Sequence, residues 1–156
     1  MKLRTIAEGD YEKIKPLINH WWGGREMAHL LPKLFFTHFN NTSFIIEKDR
    51  QVVGFLIGFL SQTNLSEAYI HFVGVHPEYR NQNIARGLYQ AFFDQIIDFG
   101  RTNVKCITSP VNKTSIAFHT KMGFSIEDGD SEVNGIAVSK DYDGPGQDRV
   151  LFVINL

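Results

Sequence analysis

The chain has 156 residues, of which 43% are hydrophobic and 21% charged, a composition that excludes wholesale disorder and fits one globular domain. The formal net charge of −1 excludes a basic field for nucleic acid, and the longest apolar run, residues 52–60, is too short to span a membrane. No apolar signal region follows Met1, and the single cysteine, Cys106, is compatible with a reducing compartment. We therefore expect a cytoplasmic protein with one domain over residues 1–156 and with no nucleic-acid or membrane partner.

The first part of the chain predicts a strand, two helices and a hairpin. Residues 2–6 alternate in the manner of a strand, and Asp10 is a candidate N-cap for the helix that follows. A second helix is expected to begin near Arg25, with Pro32 bending or dividing it. Two apolar runs flank Lys48-Asp49-Arg50, which indicates a β-hairpin.

The rest of the chain continues this mixture of strands and helices. Residues 68–75 are strand-like, and the helical spacing of apolar residues from Ile84 to Phe99 predicts a helix that Gly100 ends. The later predicted segments are a strand at 104–108, a helix at 112–122 ended by Gly123, and strands at 136–138 and 150–154. Strands interleaved with helices and hairpins predict an α/β (α+β) fold with a mixed sheet.

Residues 75–88 run from a strand, through a polar turn opened by Pro77, into an amphipathic helix. This order lets consecutive backbone N–H groups converge at a helix start, where the helix macrodipole also favours negative charge. A di- or polyphosphate is therefore the expected ligand, and the side chain of Arg80 or Arg86 would add a charge-assisted hydrogen bond. The predicted backbone donors are those of Asn81, Gln82, Asn83, Ile84, Ala85 and Arg86.

Two segments of the chain match a known pattern together. The first is Val75-x-Pro77-x-x-Arg80-x-x-Asn83-x-Ala85. The second is Asn112-x-x-Ser115-x-Ala117-Phe118-His119-x-Lys121-Met122-Gly123-Phe124. The first resembles the pyrophosphate-binding signature of the GNAT superfamily of acyl-CoA-dependent N-acyltransferases, and the second resembles that family's Asn…Phe-Tyr-x-x-x-Gly-Phe segment. The order of elements is similar too, so the resemblance covers nearly the whole chain.

The resemblance implies a mostly antiparallel central sheet flanked by helices, in which a splayed strand pair binds CoA. It implies acetyl-CoA as the co-substrate, without a metal ion, and pantetheine binding by the backbone around Val73, Gly74 and Val75. Asn112 is expected to bind the pantetheine arm or to cap its own helix. Ser115 and His119 are expected beside the cofactor.

The chain departs from the family pattern at two positions. Asn83 stands where the family has its first glycine, which supplies a positive φ or a close backbone approach. Because asparagine tolerates left-handed geometry better than most residues, we expect the turn to survive. His119 stands where the family has the tyrosine that assists departure of the CoA thiolate, and we expect His119 to be the general acid.

Strand alternation identifies candidates for a general base. One face of the predicted strand carries Glu67, Tyr69, His71, Val73 and Val75. If the two valines line the thioester, His71 and Tyr69 point toward the acceptor, whose ammonium must lose a proton before it attacks. His71 titrates in the right range to accept that proton, and Glu67 or Glu47 is the carboxylate alternative. A bulge in this strand would change the facing, and the sequence does not exclude one.

The sequence defines the acceptor side less well. Trp21, Trp22 and Arg25 join the two early helices, and the tryptophans are candidates to face a cationic or apolar amine, with core packing as the alternative. Three acidic residues around Gly144-Pro145-Gly146 form either an attractor for a cation or a solvated turn. The histidines do not pair at i, i+4 spacing and there is no cysteine cluster, so no metal site is expected.

The residues and the resemblance together predict an N-acetyltransferase that moves an acetyl group from acetyl-CoA to a primary amine, by direct attack in a ternary complex. A small-molecule amine is the expected acceptor, and a protein amine is the alternative within the same enzyme class. A non-catalytic acyl-CoA-binding or sensing domain is the alternative from another class, favoured by Asn83 and by the missing tyrosine. The resemblance is compatible with a homodimer.

Overall fold

The computed structural model of the protein describes residues 1–156, which form two compact units, Met1–Arg101 and Thr102–Leu156. The N-terminal unit contains β1 (Lys2–Thr5), α1 (Asp10–Trp21), α2 (Leu34–His38), β2 (Phe44–Lys48), β3 (Gln51–Leu60), β4 (Glu67–Val75) and α3 (Ile84–Asp98). Its short 3₁₀ turns are Ala28–Leu30, Asn40–Thr42 and Pro77–Tyr79. The C-terminal unit contains β5 (Asn103–Thr108), α4 (Lys113–Met122), β6 (Ser125–Ile126), β7 (Ser131–Val133), β8 (Ile136–Val138) and β9 (Val150–Asn155).

The strands of the N-terminal unit form an antiparallel sheet in the order β1-β2-β3-β4. The hairpin between β2 and β3 turns at Asp49 and Arg50, whose φ angles of 51° and 66° are both left-handed. Two-residue hairpin turns take this geometry because it matches the twist of the flanking strands. The hairpin prediction is confirmed.

Helices cover both faces of this sheet. On one face, α1 and α2 bury a core with strand side chains, whose members include Ile14, Ile18, Trp21, Phe36, Phe55, Ile57 and Phe72. On the other face, α3 lies so close to β3 that a Cβ atom at Gly54 would be 2.6 Å from Cγ2 of Ile84. Gly54 therefore allows the first turn of α3 to pack directly on the strand.

Two details of the predicted helices were wrong. The second helix does not begin near Arg25. The segment divides at Pro32, as expected, into the turn Ala28–Leu30 and the short α2, because Pro32 lacks an N–H and restricts Leu31. Asp10 is not the N-cap, which is Gly9, but the first residue of α1. Its buried carboxylate accepts a hydrogen bond from the Ala7 N–H at 2.7 Å and forms a 2.8 Å ion pair with Arg4.

In the C-terminal unit, β5, β9 and β6 form an antiparallel sheet in that order, and β7 and β8 form a separate hairpin. The predicted helix is present as α4, and Gly123 ends it with a φ of 104°. Cys106 lies in β5 with 4% of its surface exposed, and this burial raises the pKa of its thiol. The sequence pattern gave no indication of β6 or β7, which are only two and three residues long.

The fold is thus mixed α/β, with mostly antiparallel strands and four α-helices, as predicted. None of its helices combines the length and the apolar character that crossing a bilayer requires. No group of three or more His, Cys, Asp or Glu side chains is arranged to hold a metal ion.

Candidate active site

The loop before α3 has the backbone geometry of an anion site. Asn83, the N-cap of α3, is left-handed with φ 62° and ψ 21°, and Asn81 is also left-handed with a φ of 64°. The first intrahelical hydrogen bond runs from the Gly87 N–H to the Asn83 oxygen at 3.0 Å, so the amides of residues 84–86 have no acceptor within the helix. The prediction that Asn83 supplies the left-handed turn is confirmed. The donors and the positive end of the helix dipole fit a diphosphate.

Arg80 connects this loop to the end of α1. Its Nη2 donates a hydrogen bond of 2.6 Å to the main-chain oxygen of Trp21. The turn before it is braced as well, because Nδ1 of His76 accepts a hydrogen bond from the Glu78 N–H at 3.1 Å. Arg86 is exposed in the first turn of α3. Of the two arginines predicted to reach a phosphate, Arg86 is therefore the better placed, and Arg80 holds the loop in position.

The backbone polar groups of β4 point alternately toward β3 and away from it. The His76 N–H donates to the Val53 oxygen at 2.9 Å, and Val75 and Val73 lie opposite Gly54 and Leu56. Because hydrogen-bonded and non-hydrogen-bonded pairs alternate in an antiparallel ladder, the N–H and C=O groups of Val73 and Val75 point away from β3. These are the groups that the family resemblance assigns to pantetheine binding.

Gly74 differs from its two valine neighbours. It lies opposite Phe55, so its backbone groups point toward β3. A Cβ atom at Gly74 would be 2.6 Å from Cε1 of Phe55 and 2.8 Å from Cη2 of Trp22. Its missing side chain thus makes room for two aromatic rings, and its predicted contact with the cofactor is not supported by the geometry.

A bulge in β4 overturns the predicted facing of its side chains. Ile57 pairs with Phe72 but the next residue, Gly58, pairs with Ile70, which leaves His71 as an extra residue on β4. His71 and Phe72 consequently point to the same face, where His71 stacks on Phe35 at 4.4 Å and Phe72 contacts Trp22 at 4.9 Å between ring centroids. The predicted common face of His71, Val73 and Val75 was therefore wrong.

His71 is held by the segment that joins α1 to α2. Its Nε2 lies 2.7 Å from the main-chain oxygen of Leu30, and its ring stacks on Phe35 with an interplanar angle of 7°. Burial lowers the pKa of His71 below 6.5, against a smaller opposing effect of the hydrogen bond to Leu30. The neutral ring therefore predominates at pH 7, with the proton on Nε2 and an acceptor lone pair on Nδ1.

The other candidate bases are less suited to proton transfer. Oε1 of Glu47 is 2.8 Å from Nε of Arg4, so this carboxylate is part of an ion pair that holds β2 against β1. The carboxylate of Glu67 accepts a hydrogen bond of 3.2 Å from the side chain of Asn64 in the turn before β4. Tyr69 lies on the same face as His71, with its ring 5.4 Å from that of Phe59. His71 remains the strongest candidate.

Only some of the residues predicted to contact the acceptor are exposed enough to do so. Trp21 is wrong as a substrate-binding residue, because only 2% of its surface is exposed and its ring packs on Phe55 at 5.9 Å. Trp22 is half-buried against Phe72, and Arg25 is exposed. Phe35 was not among the predicted site residues, and its position in the sequence gave no sign that it stacks on His71.

The second predicted motif forms the start of α4. Oδ1 of Asn112 accepts a hydrogen bond of 3.0 Å from the Ser115 N–H, so the alternative in which Asn112 caps its own helix is confirmed. Nδ1 of His119 lies 2.8 Å from the main-chain oxygen of Ser115, and its ring stacks on Phe152 at 4.6 Å. Burial lowers the pKa of His119 below 6.5, partly offset by the hydrogen bond to Ser115. The acid role of His119 stays a prediction, and these observations count against it.

The two motifs, the fold and the left-handed loop agree with a comparison against protein families. Residues 7–124 match the model of the acetyltransferase (GNAT) family. The chain belongs to this family. The GNAT match begins in the N-terminal unit and continues into the C-terminal unit, so it includes both the loop before α3 and the segment from Asn112 to Phe124.

A curated enzyme is similar in sequence to part of this GNAT protein. An L-2,4-diaminobutyric acid acetyltransferase from Nocardia farcinica is 31% identical over 84 residues, which are 54% of this chain and 44% of the relative. The chain thus matches less than half the length of that enzyme.

Two solved structures show the fold alone. A GNAT-family protein from Desulfovibrio desulfuricans has a TM-score of 0.80 at 15% identity, covering 99% of this chain and 98% of its own. The diaminobutyrate acetyltransferase EctA from Paenibacillus lautus, solved with L-2,4-diaminobutyric acid and coenzyme A, has a TM-score of 0.73 at 22% identity, covering 99% and 93%.

Proposed function

We propose that this protein transfers the acetyl group of acetyl-CoA to the primary amine of a small molecule. The observation that carries the proposal is the loop before α3, where left-handed Asn81 and Asn83 precede three helix amides without intrahelical acceptors. Within a GNAT protein, such a loop is suited to the diphosphate of CoA. The proposal therefore assigns CoA binding to residues 81–86, with Arg86 as the side chain that reaches a phosphate.

A small molecule is the favoured acceptor because the curated relative acts on one. That relative is named for L-2,4-diaminobutyric acid, and the EctA structure contains the same compound with coenzyme A. A protein amine is less favoured, since this relative with sequence similarity is a small-molecule enzyme.

In the proposed reaction, acetyl-CoA supplies a thioester whose carbonyl carbon is open to attack by a neutral amine. We assign to Nδ1 of His71 the removal of the proton from the acceptor ammonium, because Nε2 already donates to Leu30. The N–H groups of Val73 and Val75 point away from β3 and are the proposed donors to the acyl and pantetheine groups. As the nitrogen bonds to the carbonyl carbon the C–S bond breaks, and the proton that this nitrogen then loses goes to the departing thiolate, so that CoA leaves as the thiol. The proton on His71 passes to solvent when product leaves.

The proposal extends to domain organisation and location. We infer one acetyltransferase domain over residues 1–156, supported by a family match that runs through the boundary at Arg101. A cytoplasmic location and a homodimer are part of the proposal too. Cell fractionation and sedimentation velocity test them, and a monomer at all concentrations would remove the dimer.

The deciding experiment measures release of the CoA thiol from acetyl-CoA with a panel of primary amines, including L-2,4-diaminobutyric acid. Turnover with at least one amine, with the acetylated product confirmed by mass spectrometry, supports the proposal. CoA binding in calorimetry without turnover on any amine would instead favour a non-catalytic acyl-CoA sensor. Absence of CoA binding would overturn the assignment of the loop itself.

A further inference from the structure

Five aromatic residues form a continuous surface around the proposed base. We name this surface the aromatic wall; its members are Phe35, Phe39, Phe59, Tyr69 and His71. Their rings contact one another in sequence, with centroid distances of 4.4 Å from His71 to Phe35, 5.5 Å from Phe35 to Phe39, 5.4 Å from Phe39 to Phe59 and 5.4 Å from Phe59 to Tyr69. The wall is contributed by α2 and the residue after it, the end of β3, and β4.

The wall differs from the core beside it in its exposure. Phe36, Phe55 and Phe72 are at most 7% exposed, whereas all five members of the wall are half-buried. The bulge in β4 produces this arrangement, because it turns His71 to the same face as Tyr69 and Phe72. Each of the five residues therefore keeps part of its surface accessible next to the proposed base.

The wall also has a distinct chemistry. It contains no carboxylate, ammonium or guanidinium, and its histidine is neutral at pH 7 because burial lowers the pKa of His71. None of the five side chains is a countercharge for the carboxylate of a zwitterionic acceptor. The guanidinium of Arg101, which lines the cavity beside Phe39, donates to the main-chain oxygens of Ser61, Asn64 and Glu67. An apolar ring gains both area burial and ring contacts there.

We propose that the aromatic wall binds the apolar side of the acceptor, and that the protein prefers an arylalkyl primary amine over aliphatic or zwitterionic amines. This rests on the proposed acetyltransfer function and narrows its substrate class. An acceptor ring on the wall lies on the same continuous surface as His71, because ring contacts run from Phe59 through Phe39 and Phe35 to His71. Direct ring contacts thus connect the surface that would select the acceptor with the proposed base.

The experiment compares four probes on the wild-type protein: 2-phenylethylamine, n-butylamine, 1,4-diaminobutane and L-2,4-diaminobutyric acid. We expect kcat/KM, corrected for the neutral fraction of each amine, to be about tenfold or more higher for 2-phenylethylamine. Phe59→Ala should remove most of this preference. Ile97→Ala should preserve it, since Ile97 is 51% exposed on α3 and outside the wall.

The possible outcomes separate the aromatic preference from the acetyltransferase function. Turnover with equal or greater kcat/KM for any of the other three amines overturns the aromatic preference and leaves the acetyltransferase function standing. Absence of turnover with all four amines and with the wider panel overturns both. If Phe59→Ala does not fold, as judged by thermal unfolding, the wild-type ranking of the four probes still decides the matter.

Discussion

Nε2 of His71 and the main-chain oxygen of Leu30 are 2.7 Å apart, and this contact fixes the chemistry available to the imidazole. A carbonyl oxygen only accepts hydrogen bonds, so Nε2 must carry the proton and Nδ1 must be the acceptor in the neutral ring. Because Leu30 belongs to the segment between α1 and α2, the same segment orients the proposed base and flanks the proposed acceptor site. The proposed base and the aromatic wall are therefore parts of one structural unit.

Replacing His71 by alanine should reduce kcat by about 100- to 1,000-fold at pH 7, the usual contribution of a positioned general base. A base acts in its neutral form, and burial lowers the pKa of His71 below 6.5. The wild-type kcat should therefore be constant at pH values above the pKa of His71 and should fall at pH values below it. This fall should be absent from His71→Ala. A pH profile of kcat at saturating substrates measures this.

The matched control is His38→Ala, because His38 is an exposed histidine at the end of α2. It should leave both kcat and the pH profile unchanged. A His71→Ala protein with the wild-type profile would remove His71 from the mechanism and leave Glu67 as the next candidate.

Local sequence signals predicted the parts of the site that depend on a single turn or helix end. The loop before α3 follows from Pro77, from the amphipathic spacing after Ile84, and from the tolerance of Asn83 for left-handed geometry. Asn112 and Gly123 likewise bound α4 as expected. In each case the residue's own conformational preference determines the structure.

The face of the sheet to which each side chain of β4 points could not be predicted in this way. Even in the folded strand, burial alternates without a break between half-buried and buried residues. A pattern of alternating burial therefore gives no sign of the bulge at His71. The bulge is a property of pairing with β3, where Gly58 and Ile57 oppose Ile70 and Phe72. Trp21 and Trp22 show the same limit, because tertiary packing alone decides which of two adjacent indoles enters the core.

Asn83→Ala should lower the free energy of unfolding by about 1 kcal/mol, since alanine pays the steric cost of a φ of 62°. Asn83→Gly should be neutral or stabilising at the same position. CoA affinity should follow the same order, because the turn aims the amides of residues 84–86. Urea denaturation and calorimetry with CoA measure the two effects, and equal behaviour of the two variants would contradict the backbone explanation.

The buried carboxylate of Asp10 should make stability depend on pH in the acid range. Burial opposes ionisation, but hydrogen bonds from Arg4 and from the Ala7 N–H outweigh it and hold the pKa of Asp10 below 3.8. A lowered pKa contributes stability above the unfolded value, and this contribution is lost as the pH falls through the folded value. Asp10→Asn should therefore cost about 2 kcal/mol at pH 7 and progressively less below pH 3.8.

Urea denaturation at pH 7 and in the acid range measures the contribution of Asp10. Asp98→Asn is the control, because Asp98 is exposed at the last residue of α3 and should show no such dependence. A constant difference between wild type and Asp10→Asn at all pH values would show that the ion pair with Arg4 is not its source.

His119→Phe should keep kcat within about tenfold of wild type, whereas loss of a general acid usually costs about 100-fold or more. In the neutral ring, the Nδ1–H donates a hydrogen bond to the Ser115 oxygen, and burial lowers the pKa of His119 below 6.5. An acid with that pKa would also make kcat decline as the pH rises through it. A larger loss in His119→Phe at unchanged CoA affinity would restore His119 as the acid.

Arg80 and Arg86 should give opposite results when each is replaced by methionine, which keeps an unbranched apolar side chain and removes the guanidinium. Arg80→Met loses the 2.6 Å hydrogen bond to the Trp21 oxygen and should lower the free energy of unfolding by about 1 kcal/mol. Arg86→Met should leave stability unchanged, because Arg86 is exposed, and should weaken CoA binding at low ionic strength.

The loss of affinity in Arg86→Met should shrink as salt is added, since screening weakens the contact with phosphate in the wild type too. Calorimetric titration of CoA at two salt concentrations, with thermal unfolding of both variants, separates the two roles. A salt-dependent loss of affinity in Arg80→Met without a loss of stability would make Arg80 the phosphate ligand and would leave the end of α1 uncoupled from the loop.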